Sequence, residues 1–186
     1  FEWPSAGAVE LVRVEYRYRS DAPLVLRGVT CTFKPGSKNG IVGRTGAGKS
    51  TLLAALVRLH DVCGGRIEID GIDVSSLPLS KLRGAVAWIP QSATLFSGSV
   101  RFNVGLGAQS DVDILAALDE AKLLTKLTPI QQRQFLDKPV DEAGGNWSSG
   151  EAQLLCLARA LVLRRKICCI DEATASVDYD TDAQIQ

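Results

Sequence analysis

Residues 9–18 (VELVRVEYRY) alternate apolar and polar side chains and predict a half-exposed strand. Residues 25–33 (VLRGVTCTF) predict a second strand, and KPGSKNG after it predicts a turn. Ile41 and Val42 predict a short buried strand running into Gly43, although Asn39-Gly40 favours a turn that delays its start. Residues 49–60 then predict a helix. GGRIEIDGIDV alternates cleanly and predicts a hairpin, and residues 85–89 predict a strand stopped by Pro90. Apolar residues three to four apart predict helices over 112–124, 130–135 and 149–164, the last being the longest. Leu154, Leu155, Leu157 and Leu161 on it are expected in the core. KICCID, residues 166–171, predicts a buried strand, and a further helix is expected from Asp180. Antiparallel strands come first, and strands then alternate with helices. That order predicts a β-subdomain packed on a parallel α/β core.

Composition narrows this picture. A chain of 186 residues can bury a real core. Its 21 basic and 21 acidic side chains cancel, so no electrostatic footprint for nucleic acid or an anionic surface is expected. No apolar run approaches the roughly 18 residues of a spanning helix, which predicts a soluble piece. The five cysteines show no metal-ligand spacing and are expected to be buried free thiols. The chain has no methionine and begins at Phe1, which suggests a segment of a longer protein.

The chemistry is concentrated in GRTGAGKST. Gly43-x-x-x-x-Gly48-Lys49-Ser50 is a complete P-loop pattern between a predicted strand and a predicted helix. Glycines let backbone N–H groups turn inward and approach phosphate oxygens closely. The helix start adds positive dipole at the same place. Gly43, Arg44, Thr45, Gly46, Ala47, Gly48, Lys49, Ser50 and Thr51 are therefore the candidate ATP cradle. Lys49 supplies charge to the outer phosphates, and the Ser50 hydroxyl is placed for Mg²⁺.

A P-loop needs an acidic partner. ICCID ends in Asp171, with Glu172 next. Asp171 is the candidate metal-orienting carboxylate. Glu172 is the candidate base that polarises the attacking water. A strand ending in two acids is weak alone and strong beside a P-loop.

Together these residues resemble the nucleotide-binding domains of ABC transporters. WSSGEAQLLCLARAL (147–161) resembles the signature motif and its helix. Gln91 in IPQSATLFSGSVRFN sits at the Q-loop glutamine. IDEATASVD (170–178) resembles the Walker B strand, catalytic glutamate and D-loop. GIVGRTGAGKS, LFSGSVR, GGNWSSGE and LLCLARAL are most similar to subfamily C, the multidrug-resistance-associated type, and to its second, C-terminal domain.

The resemblance implies a single P-loop NTPase domain. Approximately residues 9–90 and 166–186 would form the β-subdomain and core, and 91–165 an inserted helical subdomain with the signature helix. It implies that Tyr18 stacks on adenine, with Tyr16 two residues earlier as its rival. It implies that Gln91 senses the γ-phosphate and the metal. It implies that Ser148, Ser149, Gly150, Glu151 and Asp178 meet the nucleotide of a second such domain in a head-to-tail dimer. The implied whole is an integral membrane exporter of amphipathic organic anions or conjugates, with this domain on the cytoplasmic face beside transmembrane domains. A regulatory module gating a channel is the first alternative. A soluble ABC-type ATPase acting on nucleic acid or ribosomes is the second, and neutral charge without a heptad run argues against it.

Three positions depart from the family pattern. Glu151 replaces the usual glutamine, and Ser148-x-x-Glu151 reads equally as a capping box. Trp147 replaces the usual leucine, and with Glu151 it implies a weak trans site. The family's switch histidine lies beyond Gln186, so the segment as given is expected to hydrolyse ATP poorly. His60 is expected to close the helix after the P-loop in a structural role. Arg159 is expected to pair with a nearby acid and has no assigned catalytic part.

Overall fold

The computed structural model describes residues 3–125 and 127–172. The chain divides into two compact units, residues 1–87 and 88–186.

The first unit is built on a four-stranded antiparallel sheet in the order β2-β1-β3-β4, with β1 Val9–Tyr16, β2 Leu26–Phe33, β3 Gly64–Ile69 and β4 Ile72–Asp73. Alternation turns Leu11, Val14, Tyr16, Ile67 and Ile69 into its core. The register of β1 slips between Val12 and Glu15. Gly65 faces that slip at φ +70°, and a Cβ there would collide with the backbone carbonyls of Val12 and Arg13. In the turn between β3 and β4, Asp70 accepts the backbone N–H groups of Ala6, Gly7 and Ala8, just ahead of β1, at 2.8–3.2 Å. Those bonds outweigh desolvation and hold its carboxyl below the usual range. α1 (Lys49–Leu56) and α2 (Leu79–Gly84) complete this unit.

The second unit holds α3 (Val100–Gly105), α4 (Asp111–Glu120), α5 (Pro129–Leu136) and α6 (Ser149–Val162). α6 packs against α3 and α4, burying Val100, Val104, Ile114, Leu118, Leu155 and Ala158. Ser99, Ser110, Thr128 and Ser148 each cap the helix that follows by accepting a backbone N–H. β5 (Val86–Ile89) joins the units in sequence and pairs with β8 (Ile167–Ile170); β6 (Gly98–Ser99) pairs with β7 (Pro139–Val140).

Several expectations are corrected. Residues 39–43 form no strand, and Val42 is 97 % exposed. Two apolar residues between glycines are too few to sustain a ladder, and Asn39 donates back to Ser37 instead. β1 ends at Tyr16, so Tyr18 lies outside it. α1 ends at Leu56 because Arg58 takes φ 49°, leaving His60 in the turn beyond. β8 buries only one face: Ile167 and Cys169 point inward, while Cys168 and Ile170 are exposed. Leu157 and Leu161 are half-buried, at the rim of the α6 stripe. Cys156 and Cys169 are buried as expected, but Cys63 is exposed; burial pushes the Cys169 thiol up to about 12. The helix expected from Asp180 lies outside the described residues.

Candidate nucleotide-binding site

The phosphate loop occupies residues 43–48 of the first unit and is exposed except for Gly48. Gly46 and Gly48 take φ 79° and 95°. Gly48 is the N-cap of α1 and makes no side-chain cap. A Cβ there would press on Leu26 and Val25 at 3.2–3.3 Å, in a backbone conformation that L residues rarely adopt. The loop can therefore tuck against β2 and turn into α1 only with glycine at this position.

Lys49 curls back over the loop, donating from Nζ to the carbonyls of Gly43 at 3.1 Å and Arg44 at 3.5 Å. Ser50 is exposed on the first turn, whereas Thr51 is buried. The Thr51 hydroxyl lies 2.8 Å from the Tyr18 hydroxyl. Tyr18 is 50 % exposed and Tyr16 is fully buried, with their rings T-shaped at 5.3 Å. Tyr18 is thus the accessible ring, and Tyr16 supports it. His60 lies 6.4–6.5 Å from both rings. Helix-start polarity and a glycine-turned loop suit a polyphosphate, and the exposed Ser50 hydroxyl suits a hard cation such as Mg²⁺.

The second unit carries the carboxylates. Asp171 N–H donates to Ile89 O at 3.0 Å, extending the β5–β8 pairing by one residue beyond β8. Glu172 then takes φ 45°, a left-handed backbone uncommon for a branched-free acidic residue in a strand exit. Gln91, two residues past β5, donates from Nε2 to Glu172 Oε2 at 3.4 Å. The ends of two paired strands thus bring Gln91, Asp171 and Glu172 to one edge. Oxygen ligands and a nearby amide form a donor set that a hard divalent cation accepts.

Ser148 caps α6 and Glu151 answers it: Glu151 Oε2 accepts the Ser148 N–H at 3.0 Å and its hydroxyl at 2.8 Å. The Ser148 N–H, foremost, then its hydroxyl and the charge of Lys138, hold the Glu151 carboxyl below the usual range. Ser148 and Glu151 thus form the capping box within the chain. Trp147 is buried, edge-on to Phe135 at 5.8 Å, under Lys138 Nζ at 3.9 Å, and donates from Nε1 to Pro139 O at 3.2 Å. Ser149 is exposed and Gly150 buried; Asp178 lies outside the described residues.

One residue, Gln153, went unnoticed in the sequence, and a second, Arg159, has other partners than expected. Gln153 is buried and bonds the Gln91 carbonyl. Arg159 corrects its expected acid pairing: its guanidinium donates to the carbonyls of Thr94 and Asn103, and desolvation by burial lowers its pKa. Polar side chains on the apolar stripe of 149–162 were the available signal.

The family profile described as ABC transporter matches residues 26–175. This chain belongs to the ABC transporter family. It is an ATP-binding domain of that family, with a mixed α/β fold that combines an antiparallel β-subdomain and parallel strands. ABC transporter C family MRP4 of Zea mays is 49% identical over 185 residues, covering 99% of this chain and 12% of that protein. ABC transporter C family member 3 of Arabidopsis thaliana is 48% identical with the same coverage. ATP-binding cassette sub-family C member 2 of Homo sapiens is 47% identical over the whole chain and 12% of its own length. The chain therefore spans about an eighth of these relatives. A solved bacterial Atm1-family ABC exporter with ATP bound superposes with TM-score 0.86 at 33% identity, covering 97% of this chain and 32% of that one. No helix among the described residues is long and apolar enough to cross a membrane.

Proposed function

We propose that this domain hydrolyses ATP with Mg²⁺ and powers export of amphipathic organic anions or conjugates across a membrane. It would act as the second nucleotide-binding domain of a C-family transporter, on the cytoplasmic face, beside transmembrane domains. The observation that carries the reading is the combination of the Gly48-capped loop under Lys49 with the Gln91–Glu172 contact. Names of the relatives and of the ATP-bound exporter support the class of protein.

Loop residues 43–48 and the first turn of α1 bind the phosphates, and Lys49 swings from the loop carbonyls to the outer phosphate oxygens. Tyr18 stacks on adenine. Ser50 from the first unit and Gln91 and Asp171 from the second are the residues that would hold Mg²⁺. A bound Mg²⁺ supplies neutralisation of charge on the β- and γ-phosphates. Glu172 accepts a proton from water as the water oxygen bonds to the γ-phosphorus. The bond from that phosphorus to the β–γ bridging oxygen breaks, leaving ADP and phosphate. Ser148, Ser149 and Gly150 present hydroxyls, N–H groups and helix polarity to the nucleotide of the second domain, with Glu151 and Asp178 beside them. ATP then holds the two domains together and hydrolysis releases them.

Lys49→Ala in the full-length transporter tests the site. Titration with a fluorescent ATP analogue should show affinity weakened about a hundredfold, the scale of losing a preorganised charge on phosphate. Unchanged affinity would remove Lys49 from the site.

A further inference from the structure

α6 grips the segment that carries Gln91. Residues 91–97 form neither helix nor strand, so side chains must fix their course. Gln153, on the second turn of α6, is 2% exposed, and its Nε2 donates to the Gln91 carbonyl at 2.7 Å. Its Oε1 is buried with no hydrogen-bond partner among the described residues. Burying an amide with an unmade acceptor is unfavourable, and an apolar side chain of that size would avoid it. The single bond to Gln91 is what the amide accomplishes there.

A second fastener lies farther along the same helix. Arg159 donates from Nε to Asn103 O at 2.7 Å, from one terminal nitrogen to Thr94 O at 2.9 Å, and from the other to Asn103 Oδ1 at 3.2 Å. Fully buried Asn103 closes the loop: its Nδ2 donates to Phe96 O and Ser99 O, and its Oδ1 accepts the Phe96 N–H. The guanidinium also lies over the Phe96 ring, 5.4 Å from its centroid. The fork geometry of arginine matches two diverging carbonyls, which a lysine cannot do.

We propose that Gln153 and Arg159 are positioning residues that couple the α6 N-terminus to Gln91. Gln153 binds the Gln91 carbonyl itself and Arg159 the Thr94 carbonyl three residues on, so together they set the course of the backbone that carries Gln91, whose side chain is directed at Glu172. Gln153 stands two residues beyond Glu151 on the helix that Ser148 caps. A shift of Gln91 therefore moves the Ser148–Ser149–Gly150 end as one rigid piece, and a load on that end moves Gln91. The coupling is reciprocal, as any linkage between two binding sites must be. The inference rests on the proposed role of Gln91 in ATP hydrolysis.

A double-mutant cycle in the full-length transporter tests it: Gln91→Ala, Gln153→Met and both together, with kcat and KM for ATP measured for each. Gln153→Met should lower kcat roughly tenfold, the scale of a small misplacement at a reacting centre, with ATP affinity held within about twofold. In the Gln91→Ala background it should add nothing, because no side chain remains to be positioned. Wild-type kcat in Gln153→Met, or penalties that multiply in the double variant, would overturn the coupling and leave Gln153 a packing residue. Thermal unfolding accompanies each variant. Should Gln153→Met not fold, Gln153→Asn keeps an amide one methylene too short and is read in the same way. Arg159→Lys should likewise be non-additive with Gln91→Ala. Lys49→Ala run alongside separates the two levels: full turnover there defeats the site itself, whereas an inactive Lys49→Ala with multiplicative penalties defeats only the coupling.

Discussion

The Tyr18 hydroxyl stands 2.8 Å from Thr51 Oγ1, tying the chain just past β1 to the first turn of α1. Thr51 is 5% exposed, so its hydroxyl is bonded to Tyr18 and turned away from solvent. The half-exposed Tyr18 ring is fixed beside the loop by its own hydroxyl.

Two substitutions at Tyr18 should therefore separate. Tyr18→Phe keeps the ring but orphans the buried Thr51 hydroxyl, costing about 1 kcal/mol of stability while ATP affinity changes little. Tyr18→Ala removes the ring and should weaken ATP binding about tenfold, within the usual range for a base on an aromatic face. Calorimetric unfolding and nucleotide titration of both variants check this. Equal affinity losses would place the effect in the hydroxyl and not in stacking.

Glu151 predicts a pH dependence. Its folded pKa lies below the ordinary value of 4.5. Its contribution to stability is therefore present above that ordinary value and lost as pH falls through the lower, folded one. Glu151→Gln keeps an acceptor for the Ser148 N–H but carries no charge. The unfolding midpoint of wild type should exceed that of Glu151→Gln near neutral pH, and the gap should narrow progressively as pH falls below 4.5. A gap that stays constant with pH would mean that the charge of Glu151 takes no part in the cap.

Much of this was legible in the sequence, for identifiable reasons. Regular alternation gave β1 and β3, and three-to-four spacing gave α4, α5 and α6, because those elements bury one face against a neighbour. Ser148-x-x-Glu151 is a local device and was readable as such. What failed depended on distant partners. A strand at Ile41 and Val42 requires neighbours that two residues cannot specify. Arg159 looked like half of an ion pair, but its partners are carbonyls 56 and 65 positions away, which no side-chain pattern announces. The Gln91–Glu172 contact spans 81 positions; each residue stands in its own motif, but only the fold brings them to 3.4 Å.

Trp147 is held by three contacts that leucine cannot make: the Phe135 edge, the Lys138 ammonium and the Pro139 carbonyl. Trp147→Leu should cost about 2 kcal/mol through lost packing. Lys138→Ala should cost less, and the pair should couple by roughly 0.5–1 kcal/mol through the ammonium over the ring. Denaturant unfolding of the two single variants and the double variant measures the coupling. Strict additivity would assign the tryptophan to burial alone.

Hydrolysis at Glu172 harnessed to transport is the activity proposed for the whole protein. Its most direct test is steady-state ATPase activity of the full-length protein in lipid, wild type beside Glu172→Gln, with and without an organic-anion conjugate. Turnover that the conjugate stimulates and that Glu172→Gln reduces by about a hundredfold or more is the predicted result. ATP binding with equally negligible turnover in both proteins would contradict it, and would make the domain a holder of nucleotide that gates another process.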